Sequence, residues 1–216
     1  MTRFFALLAF GAVMAGSAVA ETARPVLVEL FANQNCPACP KAHRTMQEIS
    51  EERDDIFILT WTVNYWDYLG EPDPMSLPKA KERQAAYTER LSLRAPYTPQ
   101  SFYDGAKECP GTRKRDIRRN IKKRTETRTE SVPVMMQEGS IVRLAGAPSG
   151  AYELTLVEYL AGDTNETSMV NPVTRTELLG PWQEADETFE VSCTNTCAVL
   201  LHKPNFGEVL AVQPLN

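Results

Sequence analysis

The sequence holds 216 residues, of which 43% are hydrophobic and 24% are charged, and its formal net charge is −5 at pH 7. This length fits one large domain or two small ones, with enough chain to bury a core. The mildly acidic balance argues against nucleic acid as a general partner.

The first twenty residues follow the pattern of a secretory signal peptide. Arg3 supplies a positive start, an uncharged apolar run extends from Phe4 to Met14, and small residues occupy Ala18-Val19-Ala20. The apolar run is too short for a retained membrane-spanning helix, and an uncleaved anchor is the alternative. We therefore predict a signal peptide at residues 1–20 and a periplasmic or secreted protein, without membrane contact beyond that peptide.

A strand, a helix and a strand are predicted next. Pro25 to Phe31 is a short apolar run with β-branched residues, typical of a buried strand. A helix is predicted from about Cys36 to Glu52, and a second buried strand from Ile56 to Val63. Together these elements have the lengths expected of a right-handed βαβ unit.

A second helix, a hairpin and a third helix follow a long loop. The predicted bounds are Lys79–Leu93, Gln100–Tyr103 with Ala106–Cys109, and Thr112 to about Arg128. Asp104-Gly105 is a strong signal for a two-residue hairpin turn, and it would pair Gln100 with Cys109. The order of elements is that of thioredoxin, so we predict a thioredoxin-like domain over residues 24–129.

The remaining residues, 130–216, read as a β-rich domain. No helix of useful length fits there, and short β-rich runs are separated by Gly, Pro and Asn. These runs are Val132–Gln137, Ile141–Leu144, Tyr152–Leu160, Thr188–Val191, Ala198–His202 and Val209–Val212. The predicted fold class is therefore α/β: a thioredoxin-like domain followed by a small antiparallel, sandwich-like β domain.

The central chemical signal is the pair Cys36 and Cys39 at the start of the first helix. A thiol at a helix amino end lies near unpaired N–H groups and the positive end of the helix dipole, which favour the thiolate. We predict that Cys36 attacks a disulfide and that Cys39, one turn later, resolves the mixed disulfide. The same spacing also fits a structural disulfide or half of a metal site.

A metal site is the alternative that His43 supports. His43 lies four residues after Cys39 and can share one helical face with it. Cys36, Cys39 and His43 would suit copper or zinc. If the cysteine pair instead carries out disulfide exchange, we predict that the protein needs no metal and no cofactor besides its redox-active disulfide.

Other predicted site residues lie on neighbouring elements. Pro99, after Thr98, stands where thioredoxin-like chains place a cis-proline beside the dithiol, where it would keep a backbone edge open for substrate. Glu29 in the first strand could accept the proton of Cys39, or could be a surface residue. Thr98 would line the substrate groove, and Tyr65 and Trp66 after the second strand would form either core packing or a wall of that groove.

The other cysteines separate into a pair and a single residue. Cys193 and Cys197 enclose three residues between two predicted strands, which favours a structural disulfide closing a hairpin. Cys109 is left over in an odd set of five. Its predicted register puts it beside Pro99, where it would be either a third thiol near the active centre or a free thiol without a task.

Several strings in the chain resemble an uncharacterised secreted thioredoxin-like family, known as a domain of unknown function. They are Val28 to Phe31, Cys36 to Pro40, the aromatic run Tyr65-Trp66-Asp67-Tyr68-Leu69-Gly70, Glu82 to Gln84 with Tyr87, Tyr97 to Gln100, Tyr152–Tyr159 and Leu178–Trp182. The resemblance implies a thioredoxin-like fold, export and a redox dithiol at Cys36 and Cys39, and it implies no substrate. Asn35 stands where thioredoxins have a tryptophan, which leaves the redox direction open.

Three functions fit these observations. The first is a periplasmic thiol–disulfide oxidoreductase whose partners are exported protein thiols or disulfides and an unknown redox donor. The second is a copper- or zinc-binding protein or metallochaperone. The third is a non-enzymatic binding module in which the Cys36–Cys39 bond is a stable staple.

Overall fold

The computed structural model describes residues 24–128 and 132–215 of the chain. The predicted signal peptide and the predicted boundary between residues 129 and 130 lie outside the described residues. The helices are α1 (Cys39–Glu52), α2 (Pro78–Arg90) and α3 (Lys114–Thr127). The strands are β1 (Val26–Ala32), β2 (Ile56–Thr62), β3 (Gln100–Tyr103), β4 (Lys107–Pro110), β5 (Met135–Glu138), β6 (Ile141–Leu144), β7 (Tyr152–Tyr159), β8 (Val173–Trp182), β9 (Thr188–Glu190), β10 (Thr196–His202) and β11 (Val209–Pro214).

The first four strands form one mixed sheet in the order β2-β1-β3-β4. β1 is parallel to β2 and antiparallel to β3, and all seven of its residues are buried. Val28 and Leu30 share a cluster with the apolar residues of α1 and α3, whereas Leu27 and Phe31 share another with α2. The predicted thioredoxin-like arrangement is thus confirmed, with helices on both faces of a short sheet.

Two helix ends differ from the sequence expectation. α1 begins at Cys39 rather than Cys36, because residues 37 and 38 form a turn in which Cys39 N–H donates to the Cys36 carbonyl at 3.1 Å. α2 ends at Arg90, because Ser92 takes a left-handed conformation (φ 52°) that stops the helix.

The β3–β4 hairpin has a different register from the predicted one. Cys109 pairs with Ser101, and Gln100 pairs with Pro110. Ala106 stays in the turn, so the loop holds three residues instead of two. The cause lies in Asp104, whose buried carboxylate accepts the Leu27 N–H at 2.8 Å and fixes where the turn starts. A shift of one residue moves each side chain to the other face of the strand.

The chain after residue 132 forms two antiparallel sheets, as predicted. Their orders are β11-β10-β7-β8 and β5-β6-β9. Val142 and Phe189 of the smaller sheet share a hydrophobic cluster with Leu156 and Leu201 of the larger one. The two sheets therefore pack face to face. Within residues 24–128 and 132–215, no helix has the length and apolar character needed to cross a membrane.

The ten-residue strand β8 was not predicted. Its segment carries an unbroken polar run, Thr174 to Glu177, together with Gly180 and Pro181, which are unfavourable inside a strand. Among the described strands β8 pairs only with β7 and lies at the sheet edge, where a proline and exposed charges are tolerated. The missed strand is therefore an edge strand whose sequence lacks a core-facing alternation.

The larger C-terminal sheet is buried on both faces. In β10, Leu201 faces the cluster shared with the smaller sheet, whereas Leu200 belongs to the cluster that contains Leu27 and Phe31 of β1. Both leucines are fully buried. One apolar core therefore continues from the first sheet into the C-terminal sheets.

The β7–β8 loop, residues 160–172, lies along the free edge of β2. Thr60 N–H donates to the Asn171 carbonyl at 3.1 Å, and the Asn171 amide donates to the Ile58 carbonyl at 2.9 Å. The Gln47 amide of α1 donates to the Ser168 carbonyl at 2.9 Å. The loop thus joins the C-terminal half of the chain to α1 and β2.

Candidate functional site

Cys36 and Cys39 are joined in a disulfide at the amino end of α1. Their Cα atoms are 5.4 Å apart. Both residues are buried, with 1% of Cys36 and none of Cys39 exposed. The CxxC pair thus lies at the start of the helix that follows β1, and other segments of the chain cover it.

Asn33 shapes the turn that leads from β1 to the disulfide. Its carbonyl oxygen accepts the Cys36 N–H at 3.1 Å, and its side-chain oxygen accepts the Asn35 N–H at 2.8 Å. The side-chain amide of Asn33 donates to the Val63 carbonyl at 2.7 Å. Because Asn33 is itself buried, this turn has a fixed position beside β2.

The aromatic loop, residues 64–77, is bonded to the same turn. Gln34 N–H donates to the Asp73 carboxylate at 2.7 Å, and the Asn35 amide donates to the Glu71 carbonyl at 3.0 Å. The Trp66 ring packs against the cluster that contains Cys36 and Cys39. This loop is therefore one of the segments that cover the disulfide.

The two predicted groove residues of this loop differ in their surroundings. Trp66 packs against both clusters, including the one that contains Cys36 and Cys39, and its Nε1 is buried without a hydrogen-bond partner among the described residues. Tyr65 packs against the cluster on the α2 side and donates to the Gln84 side chain at 3.2 Å. Burial raises the pKa of Tyr65 to about 12, so this phenol is neutral at physiological pH.

The Thr98–Pro99 peptide bond is cis. Gly111 N–H donates to the Pro99 carbonyl at 2.9 Å. A Cβ atom on Gly111 would lie 2.6 Å from Leu30 Cδ1 and 3.4 Å from both Pro99 and Ala42, so Gly111 lies between Pro99 and α1, and a larger residue there would displace the Leu30 side chain. The Thr98 hydroxyl is buried and has no hydrogen-bond partner among the described residues.

The position of Glu29 corrects the expectation that it would serve the dithiol. Glu29 is fully buried, and its carboxylate accepts from Arg83 at 2.6 Å and from the Tyr87 hydroxyl at 2.7 Å. Side chains alternate along a strand, so Glu29 lies on the α2 face of the sheet, opposite to Val28 and α1. Glu29 is therefore neither a surface residue nor a proton acceptor beside Cys39.

His43 and Cys39 both line a pocket of about 330 Å³. The other walls come from the aromatic loop, with Asp73 and Met75, and from the β7–β8 loop, with Met169. His43 is 8% exposed, and its Nδ1 is buried without a hydrogen-bond partner in the described part of the chain. Burial lowers the pKa of His43, and the negative charge of Asp73 offsets part of that effect.

The metal alternative does not match the geometry. Among the described residues, no group of three or more His, Cys, Asp or Glu side chains could hold a metal ion. Cys36 and Cys39 are bonded to each other, and the pocket residues Cys39, His43 and Asp73 do not form such a group. The proposed ligand set of Cys36, Cys39 and His43 is therefore not assembled.

Cys109 is a buried free thiol next to two hydroxyl groups. The Tyr103 hydroxyl lies 3.2 Å from its sulfur and the Ser101 hydroxyl 3.6 Å from it. Burial raises the pKa of Cys109, which keeps the thiol protonated and poorly nucleophilic. It belongs to the same apolar cluster as Cys36 and Cys39, and its polar contacts are with its own hairpin and with Asn120 of α3.

Cys193 and Cys197 form a second disulfide between β9 and β10. Their Cα atoms are 6.2 Å apart, and Cys193 is exposed. The bond joins the two cysteines that the sequence suggested, but it does not close a hairpin, because β9 and β10 belong to different sheets.

The family of the chain follows from a match over most of its length. A family model described as "Protein of unknown function (DUF1223)" matches residues 27–200. The chain belongs to the DUF1223 family. The match includes the CxxC pair, the aromatic loop, His43 and the β7–β8 loop, and it names no activity.

Two solved structures are similar to this DUF1223 protein. The crystal structure of protein AGR_C_4864 from Agrobacterium tumefaciens is 25% identical, with a TM-score of 0.75, and covers 91% of this chain and 96% of that one. HBP35 of Porphyromonas gingivalis is 13% identical, with a TM-score of 0.57 over 89% of this chain and 74% of that one. The second likeness concerns the fold alone. No curated protein matches the sequence.

Sequence reasoning missed the residues that build the surroundings of the dithiol in this DUF1223 protein. Asn33 and Asp73 hold the turn and the aromatic loop together, and Met169 comes from a loop more than a hundred positions along the chain. A polar residue after a buried strand was a signal for Asn33. Nothing in the sequence pattern connects residue 169 with residue 39.

Proposed function

We propose that this protein is a periplasmic or secreted thiol–disulfide oxidoreductase that acts on exported proteins through Cys36 and Cys39. The observation that supports this proposal best is the Cys36–Cys39 disulfide at the amino end of α1 in a thioredoxin-like arrangement. No described side chain caps that end of the helix. The partial positive charge of the helix end is therefore available to stabilise a Cys36 thiolate.

The proposed reaction moves two electrons between a dithiol and a disulfide. In the reducing direction, the Cys36 thiolate attacks one sulfur of a substrate disulfide and the other substrate sulfur leaves as a thiolate. The Cys39 thiol then loses its proton and attacks Cys36, which releases the second substrate sulfur. The substrate disulfide becomes two thiols, and the protein's dithiol becomes a disulfide. Oxidation of a substrate is the reverse sequence.

Unsatisfied polar atoms at His43 and at two of the predicted groove residues support a substrate groove. His43 Nδ1, Trp66 Nε1 and Thr98 Oγ1 are all buried and lack a hydrogen-bond partner among the described residues. Most buried polar atoms in proteins have partners. A bound polypeptide is a natural source of the missing donors and acceptors.

The burial of the disulfide requires a movement before reaction. Cys36 is 1% exposed, so a protein substrate cannot reach its sulfur while the aromatic loop packs over it. Loops with few apolar anchors open at low free-energy cost, and Tyr68 and Leu69 of this loop are exposed. We propose that the aromatic loop moves aside when a substrate binds.

The test is the reduction potential of Cys36–Cys39. The full mature chain is equilibrated in glutathione buffers, its thiols are trapped with acid and an alkylating reagent, and each cysteine is followed by peptide mass. Catalytic disulfides have potentials of about −120 to −280 mV, and we expect a value in that range. The matched control is Cys193→Ser with Cys197→Ser, which removes the other disulfide and should leave this potential unchanged.

The burial of both sulfurs also favours a second candidate. A binding module held together by a stable Cys36–Cys39 bond would need no access to that bond. Structural disulfides of secreted proteins have potentials below about −300 mV. A bond that stays closed throughout the glutathione series would overturn the oxidoreductase proposal in favour of this module.

A further inference from the structure

Closure of the Cys36–Cys39 disulfide releases a proton, which a base must accept. Cys39 must lose its thiol proton to attack a mixed disulfide at Cys36. Its side chain has no exposed surface, so bulk water is not in direct contact with it. A buried thiol also resists ionisation. A protein group beside Cys39 is therefore needed to take the proton.

Two titratable groups of the core that the sequence suggested are unsuited to this role. Glu29 is bonded to Arg83 and Tyr87 on the opposite face of the sheet. Cys109 is bonded to Tyr103 and Asn120, and burial raises its pKa. Neither group lines the pocket at Cys39.

His43 has both the position and the unpaired ring nitrogen that a proton acceptor of Cys39 needs. It lies four residues after Cys39 on α1, so the two side chains are neighbours on one helix face. Both line the same pocket, and the buried Nδ1 of His43 makes no hydrogen bond with any described residue. An unpartnered buried ring nitrogen next to a buried thiol is unusual unless it has a task.

We infer that His43 is the proton acceptor of Cys39 during disulfide closure. The imidazole takes the thiol proton as the Cys39 sulfur attacks Cys36, and the substrate sulfur leaves with the electron pair of the broken bond. The imidazolium then passes its proton to the departing thiolate or to water that enters the pocket. This inference rests on the proposed oxidoreductase function.

The groups around His43 suit a base that works near neutral pH. Burial keeps the imidazole neutral at pH 7, which is the form that accepts a proton. On its own helix the facing titratable group is Cys39, and on the aromatic loop it is Asp73. The wall from the β7–β8 loop consists of Thr167, Ser168 and Met169 and carries no charge. Asp73 would stabilise the imidazolium once it forms.

The test separates attack from closure. The reduced mature protein is mixed with the aromatic disulfide 5,5′-dithiobis(2-nitrobenzoate) in a series of reactions buffered between pH 5 and 9. Samples taken over time are quenched with acid. Peptide mass then distinguishes the mixed disulfide at Cys36 from the closed Cys36–Cys39 bond. The rate of closure is compared between the wild type and His43→Gln.

We expect the two pH profiles to differ in shape. Wild-type closure should be nearly independent of pH above 6.5, because neutral His43 takes the proton. Closure in His43→Gln should be about a hundredfold slower at pH 7 and should rise about tenfold per pH unit, because it depends on the small thiolate fraction. Imidazole added to His43→Ala should restore part of the rate.

Each outcome bears on one proposal. A uniform slowing of closure at every pH, without a change of shape, would show a structural role and overturn the inference about His43. A rate of closure in His43→Ala that does not rise with added imidazole would overturn it as well. A wild type that never forms the mixed disulfide at Cys36 would instead overturn the oxidoreductase proposal itself.

Discussion

At the scale of single residues, the buried ion pair between Glu29 of β1 and Arg83 of α2 affects the stability of the fold rather than the reaction of the dithiol. Arg83 is 1% exposed and lies over the Trp61 and Tyr87 rings at 5.3 and 5.1 Å. Its charge is balanced by Glu29 at 2.6 Å. Removing the carboxylate partner of a buried guanidinium is strongly destabilising. Each charge of the pair is therefore needed to compensate the other in the core beneath α2.

Glu29→Gln tests this role. It removes the charge and keeps the size of the side chain, and we expect the free energy of unfolding to fall by about 3–5 kcal/mol. Urea denaturation measures the change. The matched control is Glu82→Gln, which breaks the exposed Lys79–Glu82 pair and should cost less than about 1 kcal/mol. Equal effects of the two substitutions would contradict the assignment.

At the scale of elements, the aromatic loop is one of the segments bonded to the turn before Cys36. The Asn35 side chain donates to its backbone at Glu71, and its Trp66 side chain packs against the cluster that contains Cys36 and Cys39. Tyr68, two residues later, is 79% exposed and covers nothing. The access of reagents to the disulfide should therefore depend on Trp66 and not on its neighbour.

Trp66→Ala should make the Cys36–Cys39 bond reducible at a higher rate. A loss of about 1.4 kcal/mol in the free energy of loop opening corresponds to a tenfold rise in the open population. The measurement is the rate of reduction by a water-soluble phosphine, followed by peptide mass. Tyr68→Ala is the control and should leave the rate unchanged. A tenfold rise in both variants would mean that the loop opens for another reason.

Sequence reasoning succeeded for elements with strong local signals. The buried strand at Val28, the helix that contains Met46 and the CxxC pair were all marked by periodicity or spacing. The register of the hairpin could not be predicted, because a long-range bond from Leu27 to Asp104 sets it. The pairing of Glu29 with Arg83 could not be predicted for a related reason. A run of buried residues in a strand does not show which face of the sheet lies against a cation.

At the scale of the whole molecule, the core is continuous across the predicted domain boundary. Leu200 of β10 packs in one cluster with Phe31 of β1, and Leu201 packs in the cluster between the C-terminal sheets. The predicted division into residues 24–129 and 130–216 describes the order of elements along the chain. It does not describe where the apolar contacts end, because contacts between distant segments leave no mark on local sequence.

Leu200→Ala and Leu201→Ala test whether the two parts unfold together. A buried leucine reduced to alanine costs about 2–5 kcal/mol. If the core is one cooperative unit, both variants show a single urea transition, shifted to lower denaturant for the whole molecule. Tryptophan fluorescence and far-UV circular dichroism should then report coincident curves. Two separate transitions, with only one shifted by Leu201→Ala, would show two independent units.

The β7–β8 loop also sets an order of events during synthesis. A ribosome completes the CxxC pair and α1 more than a hundred residues before Asn171, which bonds to the edge of β2. Until that loop has emerged, the edge of β2 lacks this partner, and one wall of the pocket at Cys39 is absent. The cysteines of the nascent chain are therefore more accessible to oxidants and to other chains than those of the folded protein. A segment that is made late closes the site that is made first.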